Sequence, residues 1–392
     1  MEGIDKSDLD GSGASIVISA GFLGAGGVKT HLILLSKMLS RTGAKVTVVG
    51  TNRGWTEREI EDVEAAGVRV KTPPRWMSGD AGHSRLSRVY AAAALPLWAW
   101  RAPTCLYLIG EGNYHLWARR WFGRRAPTVY HEVLCDPEPD NVRGRCALAS
   151  DGVVANSLAV ADQFRPFVGN IPVKVIPFLT ADRPCPPPSP RPAAGDRELR
   201  VVYIGRVIEH KRPDVLVQEW KSLTATGPIG PARLDIHGFD GGGGLIPKLK
   251  RMASENGVEN IVTLHGPYQS DQLDDILGAA DVVVLPSQWE GLPLVLVEAM
   301  QRGVPIVSTD VGGSAEFGRE NPDVRITGIG WGAFVKGLSG MAGLLRAGRI
   351  DAVRLHHWTE ARYGYATVAR QWRAALLRPH EFFDPPDDSK RA

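Results

Sequence analysis

Residues 281–313 read DVVVLPSQWEGLPLVLVEAMQRGVPIVSTDVGG, and the architecture can be worked outward from them. Asp281 to Leu285 is a short apolar run stopped by Pro286, which suits a buried parallel strand. Val304 to Ser308 is a second such run, opened by Gly303 and closed by Asp310 and the Gly312-Gly313 pair. Between them the spacing predicts a helix from Pro293 to roughly Arg302, because proline fits a first helical position whose N–H would go unpaired anyway. Glu290 falls in the loop before this helix and Glu298 inside it. Both acids therefore lie near the carboxyl end of a strand, where open α/β sheets hold ligands. The free N–H groups at the helix start suit a phosphate or another anion.

The same alternation of short apolar runs, Gly-rich turns and amphipathic stretches recurs along the chain. It predicts an α/β protein with parallel sheets. In the first half, strands are expected at Ser15–Ser19, Ala44–Val49, Cys105–Ile109, Pro127–Tyr130 and Gly152–Ala155, with a glycine loop and helix after the first. In the second half they are expected at Leu199–Gly205, Arg233–Gly238, Ile261–Gly266, Asp281–Leu285 and Pro305–Ser308. Residues 181–198, ADRPCPPPSPRPAAGDRE, are too rich in proline for a central strand or helix and read as the connection between two domains. A chain of 392 residues is long enough for two cores.

The 281–313 stretch resembles the retaining glycosyltransferases of family 4, the glycosyl transferases group 1. The resemblance rests on two glutamates eight positions apart, Glu290 and Glu298, and on their flanks. These flanks are Pro286-Ser287, Glu290-Gly291-Leu292-Pro293, Glu298-Ala299-Met300 and Gly303 to Val307. It is strongest over residues 199–317 and looser over 15–180. It implies the GT-B fold, two Rossmann-like domains with parallel sheets facing a cleft. The expected layout is a disordered leader (1–14), an acceptor domain (15–180), the proline-rich linker (181–198) and a donor domain (199–357). A helix crossing back (358–378) and a mobile tail (379–392) would follow.

The resemblance also implies roles. After the apolar run VVYIG, Arg206 and Lys211 would neutralise a diphosphate, a guanidinium bridging two oxygens and an ammonium adding a point charge. Arg212 stands where the family usually has glycine. Glu290 would bond the hydroxyls of the donor sugar, and Glu298 the nucleotide ribose. The backbone at Gly291 and Leu292 would face the donor phosphates. Gly26 and Gly27, with Gly24, would let substrates approach the first loop. Neither a dinucleotide fingerprint nor a phosphate loop fits there, since Val28 stands where the latter needs glycine before Lys29. His131 would lie near the donor sugar, with Glu111, Glu132 and Asp136 as candidates on the acceptor side. The activity implied is transfer of a sugar from a nucleoside diphosphate to an acceptor hydroxyl with retention. The acceptor is a sugar, a lipid-linked group or a small molecule. A sugar-nucleotide epimerase or a non-catalytic nucleotide-sugar binder are the alternatives. The fixed cations imply metal independence, with no cofactor.

A hydrophobic content of 43%, a charged content of 23% and a net charge of +3 describe an ordinary globular chain. Cys105, Cys135, Cys146 and Cys185 show no metal-type spacing and read as free thiols in a reducing compartment. The N-terminus lacks the basic and apolar regions of a signal peptide, and the longest apolar stretch, Val89 to Trp100, is short of the roughly 20 residues a membrane span needs. A cytoplasmic location is expected. Residues 69–125 hold ten basic side chains and five tryptophans against Asp80 and Glu111, a mixture suited to an anionic membrane surface on the inner face. No nucleic-acid-binding module is visible.

Overall fold

The computed structural model describes residues 10–20, 26–50, 55–74, 103–109, 126–132, 141–166, 168–224 and 227–383, with 86, 89–90, 93–95 and 116 between them. The chain folds as two compact units, Met1–Arg183 with Tyr365–Ala392, and Pro184–Gly364.

Unit 1 is built from β1 (Ser15–Ala20), α1 (Gly27–Ser40), β2 (Lys45–Gly50), α2 (Glu57–Ala65), β3 (Arg69–Lys71), β4 (Cys105–Ile109), β5 (Thr128–Glu132), α3 (Val142–Leu148), β6 (Gly152–Ala155), α4 (Leu158–Phe164) and β7 (Val173–Val175). The strands form one parallel sheet in the order β3-β2-β1-β4-β5-β6-β7. Its central strands are buried throughout, as the unbroken runs IVIS and CLYLI require of a strand covered on both faces.

Unit 2 follows with β8 (Leu199–Ile204), α5 (Pro213–Thr224), β9 (Ala232–His237), α6 (Leu245–Glu255), β10 (Val262–Gly266), α7 (Leu273–Ala279), β11 (Val282–Leu285), α8 (Leu294–Gln301), β12 (Ile306–Thr309), β13 (Val324–Thr327), α9 (Trp331–Arg346) and α10 (Ala352–Tyr363). Its parallel sheet runs β10-β9-β8-β11-β12-β13. The core closes around Trp220, Phe317 and Phe334. Helix α8 is buried on nearly every side, which explains why LVLVEAM carries no polar face.

In each sheet the strand order reverses once, between β1 and β4 in unit 1 and between β8 and β11 in unit 2. At such a reversal the connections leave toward opposite sides, and a crevice opens beyond the carboxyl ends of the two strands.

The chain then returns to unit 1 with α11 (Tyr365–Leu377) and α12 (Pro379–Phe383). Trp372 of α11 is fully buried and its indole N–H donates to the Pro177 carbonyl at 2.8 Å. Helix α12 stands where a mobile tail was expected: Phe383 is buried, and a Cβ on Gly152 would lie 2.5 Å from its ring. Three further strands, β3, β7 and β13, were not expected, because each is only three or four residues long and includes a basic residue. Residues 184–198 contain no helix or strand, yet they are fastened to unit 2. Arg191 donates to the Ala280 carbonyl, Arg197 forms a two-pronged pair with Asp281, and the Ala194 N–H donates to Leu345. Arginine side chains supply the hydrogen bonds that a proline-rich backbone cannot. Among the described residues no helix is long and apolar enough to cross a membrane.

Candidate functional site

Three loops meet at the strand reversal of unit 2. The first leaves β8 at Gly205 and carries Arg206 to Arg212. The second leaves β11 at Pro286 and carries Ser287 to Pro293. The third leaves β12 at Asp310 and reaches Gly313. Backbone bonds tie them together: the Gln288 N–H donates to the His210 carbonyl at 2.7 Å, and the Gly313 N–H to the Gly291 carbonyl at 2.7 Å. The Thr309 hydroxyl donates to the Ser287 carbonyl at 2.5 Å.

Gly312 is held at φ 53°, and a Cβ there would lie 1.9 Å from the Glu290 carbonyl oxygen. Both the left-handed backbone and the close approach require glycine. Gly312→Ala is expected to lose about 2 kcal/mol or more of stability. A urea midpoint unchanged from wild type would show that the third loop can move away from Glu290 at no cost.

Lys211 and Glu290 face each other across this junction, Nζ to Oε1 at 2.7 Å, with side chains only 12% and 9% exposed. The Ser287 hydroxyl donates to the same Oε1 at 2.7 Å. Ser287 has no role in the sequence reading, although it belongs to the Pro-Ser pair that marks the loop. Arg206 is exposed, and its guanidinium has no acidic partner among the described residues. The loop is braced beneath it, where the Tyr203 hydroxyl donates to the Arg206 carbonyl at 2.7 Å. Among the described residues the junction therefore holds an internally neutralised ion pair, Lys211 with Glu290, and an exposed guanidinium, Arg206, without a carboxylate partner.

Lys211 ends a short 3-10 turn, Glu209–Lys211, and Arg212 closes it in the left-handed conformation, φ 52° and ψ 44°. That is the conformation glycine adopts most readily, so the turn keeps its shape with an arginine in the glycine place. An L-residue in this region costs roughly 1 kcal/mol.

Helix α8 starts one residue later than expected. Pro293, at ψ 99°, precedes the helix, and no side chain caps its first N–H groups. Glu298 lies inside α8, partly buried, with no hydrogen-bond donor to its carboxylate among the described residues. Burial pushes its pKa up to about 7, with Arg302 opposing the shift. Gly291 and Leu292 are buried in the second loop.

In unit 1, Gly26 caps α1 at φ 111° with no side-chain hydrogen bond, and Gly27 begins the helix. Lys29 pairs with Glu59 at 2.7 Å, which occupies it and leaves no phosphate-loop lysine. His131, expected near a donor sugar, has its side chain packed into unit 1. It is fully buried on the β4–β5 face among Tyr107, His31, Phe178 and Trp372. The Leu179 N–H donates to His31 Nδ1 at 3.1 Å, which puts the proton of a neutral His31 on Nε2, facing the Tyr107 hydroxyl at 3.4 Å. Tyr107 then donates to His131 Nδ1 at 2.5 Å. The remaining His131 proton sits on Nε2, a buried atom with no hydrogen-bond partner. Burial drives the pKa of His31 down to about 3, and burial followed by His31 holds that of His131 well below the usual histidine range. Local sequence gave no sign of this cluster, since its members come from α1, β4, β5, the segment after β7 and α11.

Glu132 ends β5. Gly24, Glu111, Asp136 and most of the basic, tryptophan-bearing segment lie outside the described residues.

Known proteins share both the sequence pattern and the fold. The glycosyl transferases group 1 family matches residues 189–328. A D-inositol 3-phosphate glycosyltransferase of Rhodococcus opacus is 34% identical over 173 residues, 42% of this chain and 39% of that protein, so this match spans about two fifths of the relative's length. One of the same description from Xylanimonas cellulosilytica is 27% identical over 397 residues, 91% of this chain and 93% of that protein. Among solved structures, Anabaena Alr3699/HepE in complex with UDP and glucose superposes with a TM-score of 0.71 at 18% identity, over 93% of this chain and 99% of that one. A glycosyltransferase from Rickettsia africae gives 0.73 at 13% identity, over 93% and 99%. The stretch that matches the glycosyl transferases group 1 family, residues 189–328, contains Arg206, Lys211, Glu290 and Glu298, and the chain as a whole has the GT-B fold.

Proposed function

We propose that this chain is a retaining glycosyltransferase of family 4, moving a sugar from a nucleoside-diphosphate sugar to an acceptor hydroxyl. The observation that carries this reading is the Arg206, Lys211 and Glu290 group at the strand reversal of unit 2. When the glycosidic bond breaks, negative charge grows on the departing diphosphate. Fixed cations and open helix N–H groups aimed at that charge lower the barrier. Arg206 is free to take the phosphates. Lys211 exchanges its Glu290 contact for a phosphate oxygen, and Glu290 turns to the sugar hydroxyls. The acceptor proton passes to the leaving phosphate on the same face of the sugar, which retains the anomeric configuration. The cations do the work a metal would do, and transfer is expected to persist in excess chelator.

Incubation with UDP-hexoses and GDP-hexoses tests the reading, with D-inositol 3-phosphate as the first acceptor because the relatives above carry its name. Release of nucleoside diphosphate that rises with acceptor is the expected result. Absence of both binding and release across the panel would refute it. The basic segment 69–125 supports a peripheral contact with an anionic membrane surface at the cytoplasmic face. Equal pelleting with neutral and anionic liposomes would remove that contact.

Glu298 supplies a pH test of the ribose role. Ribose hydroxyls donate to a carboxylate, so nucleotide binding needs the ionised form, and a free-protein pKa of about 7 makes that form the minor one in acid. Affinity for the nucleoside diphosphate is expected to fall by up to about tenfold per pH unit below 7. Glu298→Gln should flatten this dependence, and a steep profile surviving in that variant would assign the titration to another group.

A further inference from the structure

The second loop of the junction is buried at every position from Pro286 to Pro293 except Gln288 and Trp289. Trp289 is 46% exposed, one of the few large apolar side chains so exposed among the described residues. It is nonetheless held in place. The His210 imidazole stacks on the indole at 3.8 Å between centroids and 14° between planes. The two loops that carry these rings are joined by the Gln288 to His210 backbone bond. The brace sits beside the ion pair, because His210 adjoins Lys211 and Trp289 adjoins Glu290.

An exposed tryptophan in a monomer surface often signifies nothing, and a protein partner would need a contiguous apolar patch. Here the flat apolar ring lies between Gln288 and Glu290 in the chain, and the ring stacked on it, His210, is followed directly by Lys211. That combination fits a ligand with an apolar face and a polar rim, which describes a pyranose or cyclitol ring: C–H groups on one face, hydroxyls around the edge. Lysine and glutamate serve the rim and the indole serves the face. The His210 stack holds the indole in one orientation, so less side-chain freedom is lost when a ring docks.

We propose that Trp289, braced by His210, is the stacking platform for a polyol ring at this site, either the hexose of the donor or the ring of the acceptor. The inference rests on the nucleotide-sugar reading and deepens it.

The test compares wild type with Trp289→Ala, Trp289→Phe and His210→Ala. Titration calorimetry with UDP, GDP and their glucose, N-acetylglucosamine and mannose conjugates gives the affinity added by the sugar. Steady-state transfer to D-inositol 3-phosphate gives the acceptor KM. If the donor hexose stacks on Trp289, the affinity added by the sugar falls about tenfold in Trp289→Ala, while affinity for the bare nucleotide stays unchanged. If the acceptor ring stacks there, the acceptor KM rises about tenfold with the nucleotide-sugar Kd unchanged. In either case Trp289→Phe loses less than about threefold, and His210→Ala falls between the two. Unchanged nucleotide affinity also shows that the variants are folded. Values for Trp289→Ala within twofold of wild type on both arms would overturn the platform and leave the nucleotide-sugar reading intact. Failure of wild type to bind any nucleotide or conjugate would overturn that reading, and the platform with it.

Discussion

Lys211→Ala should lower kcat/KM for sugar transfer by more than about tenfold, equivalent to ~1.4 kcal/mol of transition-state stabilisation, and should also destabilise the protein. The two effects share an origin. Lys211 and Glu290 are nearly buried, and removing Lys211 takes the opposite charge away from a nearly buried carboxylate. Breaking such a pair costs about 3 kcal/mol. Arg206→Ala is expected to show the opposite balance. Its side chain is exposed and has no acidic partner among the described residues, so its loss should slow transfer by more than about tenfold while stability stays within about 0.5 kcal/mol of wild type. A double-mutant cycle of Lys211→Met and Glu290→Gln, read by urea denaturation, measures the pair directly. A coupling near zero would mean that the 2.7 Å contact is not maintained in solution. Near-normal turnover in both Arg206→Ala and Lys211→Ala would defeat the diphosphate assignment.

The second large effect is acid lability of unit 1. His31 has a folded pKa near 3 because burial disfavours its charged form, whereas the unfolded value is near 6.5. Between those values the unfolded chain binds a proton that the native chain does not. Stability therefore holds above pH 6.5 and falls as pH drops toward 3, by up to about 1.4 kcal/mol per unit for this one histidine. At pH 5 the loss is about 2 kcal/mol. His131 shifts in the same direction and steepens the fall. Urea unfolding of wild type and His31→Phe at several pH values between 7.5 and 5 checks this. The variant starts less stable, because the Leu179 N–H loses its acceptor, but its stability should depend less on pH. Equal slopes for the two proteins would show that His31 is not buried in its neutral form.

Much of the fold was legible locally because buried parallel strands announce themselves. Runs such as VVVL, IVIS and CLYLI, short and bounded by turn residues, suit strands covered on both faces, and the observed strands begin within a residue or two of those expectations. The short edge strands β3, β7 and β13 were not legible, because an edge needs few apolar residues and is recruited by its neighbour's ladder. Arg206, Lys211, Glu290 and Glu298 were legible because each sits at a fixed offset from a buried strand. Their interaction was not. Lys211 and Glu290 are 79 positions apart, and only the reversal of strand order between β8 and β11 brings their loops together.

Glycine placement, strand periodicity and the spacing of the two glutamates were determined by the sequence itself, since each follows from local backbone sterics and from the two-fold or 3.6-residue repeat of buried side chains. The protonation of His131, the pairing of Lys211 and the stacking of Trp289 on His210 were decided by tertiary structure alone. Charge state and ring orientation depend on which distant groups displace water from a side chain. That is a property of the packed chain and not of any stretch along it.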